Sequence, residues 1–207
     1  LDPSLSKPTF DAFNAHYRNS WVAPPSPHLA IDLGPPTPLE KDFGPFPPSV
    51  IGTTFPARLL IKGYNSAWYI HNATLTLNWN ATLLDALSVA VDPLWTGGSF
   101  TIDHVNGVAT GTVLNPSSNP PSGDVLIATV TFNITFQDNC IPIGTRAIGD
   151  FDQSPLTITQ YTLFDTTIQI PTAPPENGLV KIFCLQSVKP PNLVVSSATM
   201  GPGPSIG

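Results

Sequence analysis

Charge is what this chain has least of. Charged side chains make up 11% of its 207 residues, against about 25% in ordinary soluble domains. The 8 Lys and Arg are scattered singly, so no basic stripe exists to follow a phosphate backbone, and no nucleic-acid partner is expected. No apolar run reaches the length of a membrane span and no signal peptide heads the chain, so no membrane span is expected and the sequence reads as a mature or trimmed product. Catalytic signatures are also missing: there is no Gly-x-Ser-x-Gly elbow, no P-loop and no dinucleotide fingerprint. His16, His28, His71 and His104 are the only histidines, and none stands at metal-ligand spacing from another His or from a Cys. No cofactor and no metal site is expected. Asp150-Phe151-Asp152 is a weak calcium candidate, but two carboxylates without a ligand frame read better as a solvated loop. Nothing proposes an enzyme. Paired carboxylates for glycoside hydrolysis need only meet in space, yet no residues point to them.

Cysteine is scarce too, with 2 in the chain. Cys140 and Cys184 are either buried free thiols of a cytosolic protein or a disulfide, and the outward-pointing compartment cues favour the disulfide. A surface so poor in charge needs another source of solubility, such as attached glycans or a covering partner.

Proline is abundant, 25 residues against a usual share of about 5%. Much of it punctuates residues 1–51, a lead expected to be extended and polyproline-like, lying on something else. Within it, Phe10, Phe13, Tyr17 and Trp21 recur at near-helical spacing and read as an anchor or a cap on the core. "HLAIDL" (28–33) reads as an edge strand. From Gly52 the pattern changes to period two. Phe55, Ala57, Leu59 and Ile61 share one phase. Ala73, Leu75, Leu77 and Trp79 face in, while Asn72, Thr74, Thr76 and Asn78 face out. "ATLLDALSVAV" reads as a turn and a short strand. Asn106-Gly107 marks a hairpin. In "VLIATVTFNITF", Leu126, Ala128, Val130, Phe132, Ile134 and Phe136 are expected inside, with Thr129, Thr131, Asn133 and Thr135 outside. His71 and His104 fall in predicted strands, where a structural role is expected. "LTITQYTLFDTTIQIP" and "LVKIFC" close the set. Many short strands, Gly, Pro and Asn turns and no amphipathic helix predict an all-β sandwich.

"AWYIHNATLTLNWNATLLDALSV", "NGVATGTVL…SGDVLIATVTFNITF" and "YTLFDTTIQIP…NGLVKI" together resemble a cohesin module over residues 52–184. The resemblance implies a jelly-roll-type β-sandwich of about nine strands, preceded here by the lead (1–51) and followed by a Pro/Gly-rich tail (185–207). It also implies a protein partner outside the cell, a dockerin-like protein being the best-known kind. No residue of this chain is marked by it as a dockerin-binding face.

Three sequons occur, at Asn72, Asn80 and Asn133, each with Thr in the third place. N-linked glycans are expected at these outward or turn positions, the bland reading being polar residues on a solvated face. Of the tryptophans, Trp79 is in core phase, while Trp68 and Trp95 are open candidates for a sugar platform. Finally, the tail echoes the lead. Pro24-Pro25, an apolar run, a Gly/Pro linker and Ser49-Val50-Ile51-Gly52 are matched by Pro190-Pro191, Leu193-Val194-Val195, a Gly/Pro linker and Ser205-Ile206-Gly207. Coincidence between two Pro-rich linkers is one explanation. The others are a tandem array, or strand addition between subunits, with Leu193, Val194 and Val195, or Leu29, Ile31 and Leu33, as the donated strand. The expected function is therefore a structural subunit or repeat of an extracellular, cell-surface filament assembled head-to-tail with itself. The alternative is a monomeric cohesin-like binding module for a dockerin-like protein or a glycan.

Overall fold

The structure is a computed structural model, and it describes residues 26–44, 48–64, 69–115, 122–140, 147–166 and 168–186. The described residues form strands, bridges, turns and coil, with no helix long and apolar enough to cross a membrane. The strands are β1 (His28–Asp32), β2 (Glu40–Phe43), β3 (Thr54–Tyr64), β4 (Asn72–Asn78), β5 (Leu84–Val91) and β6 (Gly97–Asp103). They continue with β7 (Val108–Leu114), β8 (Gly123–Ile134), β9 (Phe151–Asp165), β10 (Ile168–Gln169) and β11 (Gly178–Phe183). One sheet runs β1-β3-β8-β5. The other runs β2-β11-β9-β4-β7-β6, with β10 hairpinned onto β9. Both bury their apolar phase against each other, and the all-β sandwich follows from that period-two patterning.

The alternation reads through into burial where strands are regular. Phe55, Ala57, Leu59 and Ile61 of β3 are buried, as are Ala73, Leu75, Leu77 and Trp79 along β4. In β8 the expected phase breaks. The register steps from Leu59↔Ala128 to Leu60↔Leu126, leaving Ile127 as an extra residue. This bulge turns Val125 and Ile127 inward together with Ala128, Val130, Phe132 and Ile134, and Leu126 is only half-buried. Phe136, expected inside, lies beyond the strand and is exposed.

Among the described residues, 52–184 contain nine strands, β3 to β11, and the lead adds two more. β1 pairs antiparallel with β3, from His28↔Lys62 to Asp32↔Arg58. β2 pairs parallel with β11. The lead is thus not merely laid on the sandwich: residues 28–43 give one strand to each sheet. Leu29, Ile31 and Leu33 are fully buried in the chain's own core, each such burial contributing about 1.5–3 kcal/mol. As candidates for a strand donated to a neighbour they are corrected to core residues of this chain. The anchor residues Phe10, Phe13, Tyr17 and Trp21 lie outside the described residues.

An aromatic stack crosses the interior. Phe132 lies 5.6 Å from Phe55 and meets Trp79 edge-on at 5.3 Å, and Phe43 of β2 extends the row onto Phe55 at 5.0 Å. The β6–β7 hairpin expected at Asn106-Gly107 is present, with Asp103 accepting hydrogen bonds from the Val105 and Asn106 amides. The hydrogen bond from the Asn106 side chain, and after it these backbone bonds, hold the Asp103 carboxyl below its usual pKa. Gly107 has φ +64°, and a Cβ there would stand 2.4 Å from the Trp79 carbonyl, so this turn accepts only glycine. The outer edge of β1 is covered by residues 173–176: Ile31 N–H donates to the Glu176 carbonyl and Glu176 N–H to the Leu29 carbonyl, both at 2.9 Å. The Glu176 carboxylate also pairs with Lys62 at 2.6 Å and His28 at 3.3 Å. The Lys62 hydrogen bond lowers the Glu176 pKa, and the same bond raises that of Lys62.

Candidate functional site

The outward phase of β6, β7, β4 and β9 forms rows across the larger sheet. Ser99, Thr112, Thr74 and Thr162 stand opposite one another in one row, and Thr101, Thr110, Thr76 and Gln160 in the next. Strands lie about 4.8 Å apart and same-face residues about 7 Å apart along a strand, so hydroxyls and one amide tile a patch of regular spacing. The Thr74 and Thr112 hydroxyls are 3.2 Å apart. Flanking rows are Asp103, Val108, Asn78 and Thr157 on one side and Gly97, Leu114, Asn72 and Phe164 on the other. Phe100, on the inner side of β6, lies over Gly111, where a Cβ would come within 2.3 Å of the ring. That close approach is on the buried side of the sheet, where the absent side chain of Gly111 lets the Phe100 ring pack against β7.

Shallow hollows mark this face. One of about 290 Å³ is lined by Thr74, Thr76, Thr110, Gln160 and Thr162. Another, of about 370 Å³, lies where β4 and β9 meet, against Asn78, Asn80, Pro155, Thr157 and Thr159. The two central rows hold no charged residue. Charge on this sheet lies outside them, at Asp103 of a flanking row and toward β11 and β2, where Lys181 pairs with Glu40 at 3.0 Å, the bond that raises the Lys181 pKa. Such a face offers dense, uncharged donors and acceptors to a partner and no general acid, base or nucleophile with an activating neighbour.

The residues singled out in the sequence fall in separate places. Asn72 is half-buried on the rim of the patch, and its Oδ1 is buried without a hydrogen-bond partner. Asn80 is exposed in the β4–β5 turn. Asn133 is half-buried on the outer face of the smaller sheet, between Thr54 and Asp85. Cys140 and Cys184 form a disulfide. Leu193, Val194 and Val195, like Trp68 and His16, lie outside the described residues. Trp95 is no platform: it is buried, with its indole N–H donating to the Leu126 carbonyl at 2.9 Å. Trp79 is core, donating to the Leu84 carbonyl. His71 lies just before β4 rather than in it, with Nδ1 buried and unbonded, and His104 sits in the hairpin turn beside Asp85. Asp150 closes its own turn by accepting the Ala147 amide. No group of three His, Cys, Asp or Glu converges among the described residues.

The hydroxyl rows themselves are what sequence reading missed. Their signal was present as Ser-Phe-Thr (99–101), Thr-Gly-Thr (110–112) and Thr-Leu-Thr (74–76), but only the strand register brings these triplets side by side.

No protein-family model and no curated protein matches this sequence. Solved structures do match it in shape. A chain of a type I cohesin–dockerin complex from Clostridium thermocellum superposes with a TM-score of 0.58 at 14% identity, covering 80% of this chain and 99% of that one. A non-cellulosomal cohesin from the archaeon Archaeoglobus fulgidus gives 0.54 at 13% identity, over 76% and 91% of the two chains. The cohesin module of a family 33 glycoside hydrolase from Clostridium perfringens gives 0.52 at 12% identity, over 79% and 99%. At such identities the likeness is one of architecture, and on that footing the chain has the cohesin-like, jelly-roll-type β-sandwich fold.

Proposed function

We propose that this chain is a non-catalytic, extracellular binding module that docks a protein partner across the outer face of β9, β4, β7 and β6. The observation that carries the reading is the pair of uncharged hydroxyl rows from Ser99 to Thr162 and from Thr101 to Gln160. Two regular, charge-free polar rows suit a partner that supplies matching donors and acceptors. Likeness in fold to a chain of a cohesin–dockerin complex supports a dockerin-like protein as the partner class. The Cys140–Cys184 disulfide supports an oxidising, extracellular setting. A glycan partner is less favoured, because Trp79 and Trp95 are both buried and offer no stacking platform. Calorimetric titration against a panel of dockerin modules tests this. Saturable one-to-one binding is expected, and Thr76→Arg or Thr112→Arg should weaken it by about 2 kcal/mol or more, roughly 30-fold. Binding that ignores both substitutions would move the site off this face. No binding, with self-assembly seen by sedimentation, would return the homopolymer reading.

A second reading concerns the echo. Residues 29–33 form most of β1, at the edge of the chain's own smaller sheet, and the residue after it, so the matching run Leu193-Val194-Val195 has the character required to begin a further sandwich in a tandem, surface-exposed array. A chain carrying a second copy of residues 52–186 directly after Gly207, without a second copy of residues 1–51, is expected to fold as two sandwiches with two disulfides. A second copy that stays protease-sensitive with free thiols would reject that role for the tail.

A further inference from the structure

We propose that Asn80 is the N-glycosylation site of this chain, and that Asn72 and Asn133 carry no glycan despite their sequons. All three tripeptides read alike in sequence, so the distinction comes from their surroundings. At Asn80-Ala81-Thr82, both Asn80 and Thr82 are exposed. The backbone beneath is pinned: Asn80 N–H donates to the Ser154 hydroxyl at 2.9 Å, and the Asn80 carbonyl accepts the Leu83 and Leu84 amides at 3.0 Å. The Asn80 side-chain oxygen accepts the Thr82 amide at 3.0 Å. With the oxygen held to its own turn, the amide nitrogen of this exposed side chain makes no hydrogen bond to the described residues.

The other sequons lack this arrangement. Asn72 sits in β4 between Leu114 and Phe164, its side-chain oxygen is buried, and the Thr74 hydroxyl is engaged with that of Thr112. Asn133 sits in β8, a central strand, and the Thr135 hydroxyl donates to the Thr82 carbonyl. A glycan at either place has neighbouring strands on both sides. At Asn80 it has the open hollow of about 370 Å³ lined by Asn78, Pro155, Thr157 and Thr159, room for a first sugar ring with polar groups at its border and proline beneath it.

The chemistry is transfer from a lipid-linked oligosaccharide pyrophosphate, catalysed by the membrane transferase of the secretory route. The Asn80 Nδ2 attacks the anomeric carbon, and an N–C bond forms. The bond from that carbon to the pyrophosphate oxygen breaks, the lipid pyrophosphate leaves, and the amide nitrogen gives up one proton to the transferase. The product places a neutral, hydrated group at one end of a chain whose charged residues are only 11%.

The test is secretion of the full chain from an N-glycosylating eukaryotic host. Enzymatic release of the glycans in ¹⁸O-water then leaves a mass tag at each modified Asn, read by peptide mapping. The tag is expected at Asn80 in most copies. It should vanish in Thr82→Ala, which keeps the Asn80 turn bond, and persist in Thr82→Ser. An untagged Asn80 in the secreted, disulfide-bonded protein overturns the proposal. So does a tag at Asn72 or Asn133, which overturns the confinement to one site.

Discussion

Phe132→Ala is expected to destabilise the protein by about 3–5 kcal/mol, lowering Tm by roughly 6–20 °C for a chain of this size. Phe132 is fully buried near the end of β8, paired with Phe55 on β3 and Ala86 on β5. Its ring touches Phe55 within its own sheet and the edge of Trp79, which follows β4 of the opposite sheet. Deleting it removes the contact through which the two sheets grip at that level. Scanning calorimetry measures the loss, and near-ultraviolet circular dichroism reports the freed Trp79. Phe136→Ala is the internal comparison. Four residues on in the same phase, Phe136 is 41% exposed and is expected to cost no more than about 0.5 kcal/mol. Equal losses for the two variants would mean that strand β8 continues inward past Ile134, against the register described above.

That pair of phenylalanines shows where sequence reading stops. Period-two alternation in β3 and β4 is a local property, since each side chain's face is set by its neighbours two residues away, and it carried through into the structure unchanged. The bulge at Ile127 is not local. It depends on how β8 lies against Leu59 and Leu60 some seventy residues earlier, and nothing in "VLIATV" marks it. The lead illustrates the same divide. "HLAIDL" was legible as an edge strand from Leu29, Ile31 and Leu33, but that it closes this chain's own sheet follows only from pairing with β3. "EKDF" shows no apolar period at all, because β2 is an edge strand held by a parallel ladder to β11. The candidate face follows suit. Thr74 and Thr76 were read as outward residues of β4, whereas the rows they share with β6, β7 and β9 exist only in the register.

Removing the disulfide with Cys140→Ala and Cys184→Ala together is expected to cost about 4 kcal/mol. The bridge closes a loop of sequence separation 44, and the loss of chain entropy it imposes on the unfolded state scales to about that value. The native contacts around it are built to survive its loss. Cys140 N–H donates to the Leu185 carbonyl, Leu185 N–H to the Asp138 carbonyl, and Cys184 N–H to the Asp150 carbonyl. The buried Gln137 side chain donates to the Phe183 carbonyl while accepting the Val50 amide and the Ser49 hydroxyl. The segment after β8, the end of β11 and the entry to β3 therefore stay joined by hydrogen bonds in the folded protein. The effect should fall chiefly on the unfolded chain, which becomes larger when freed of its cross-link. Urea unfolding of the double variant should then show a lower midpoint and a steeper dependence on denaturant, since more surface is exposed on unfolding. A fallen midpoint with an unchanged or shallower slope would instead place the damage in the native state. The hydrogen-bonded junction at Gln137 and Leu185 would in that case depend on the bridge rather than stand beside it.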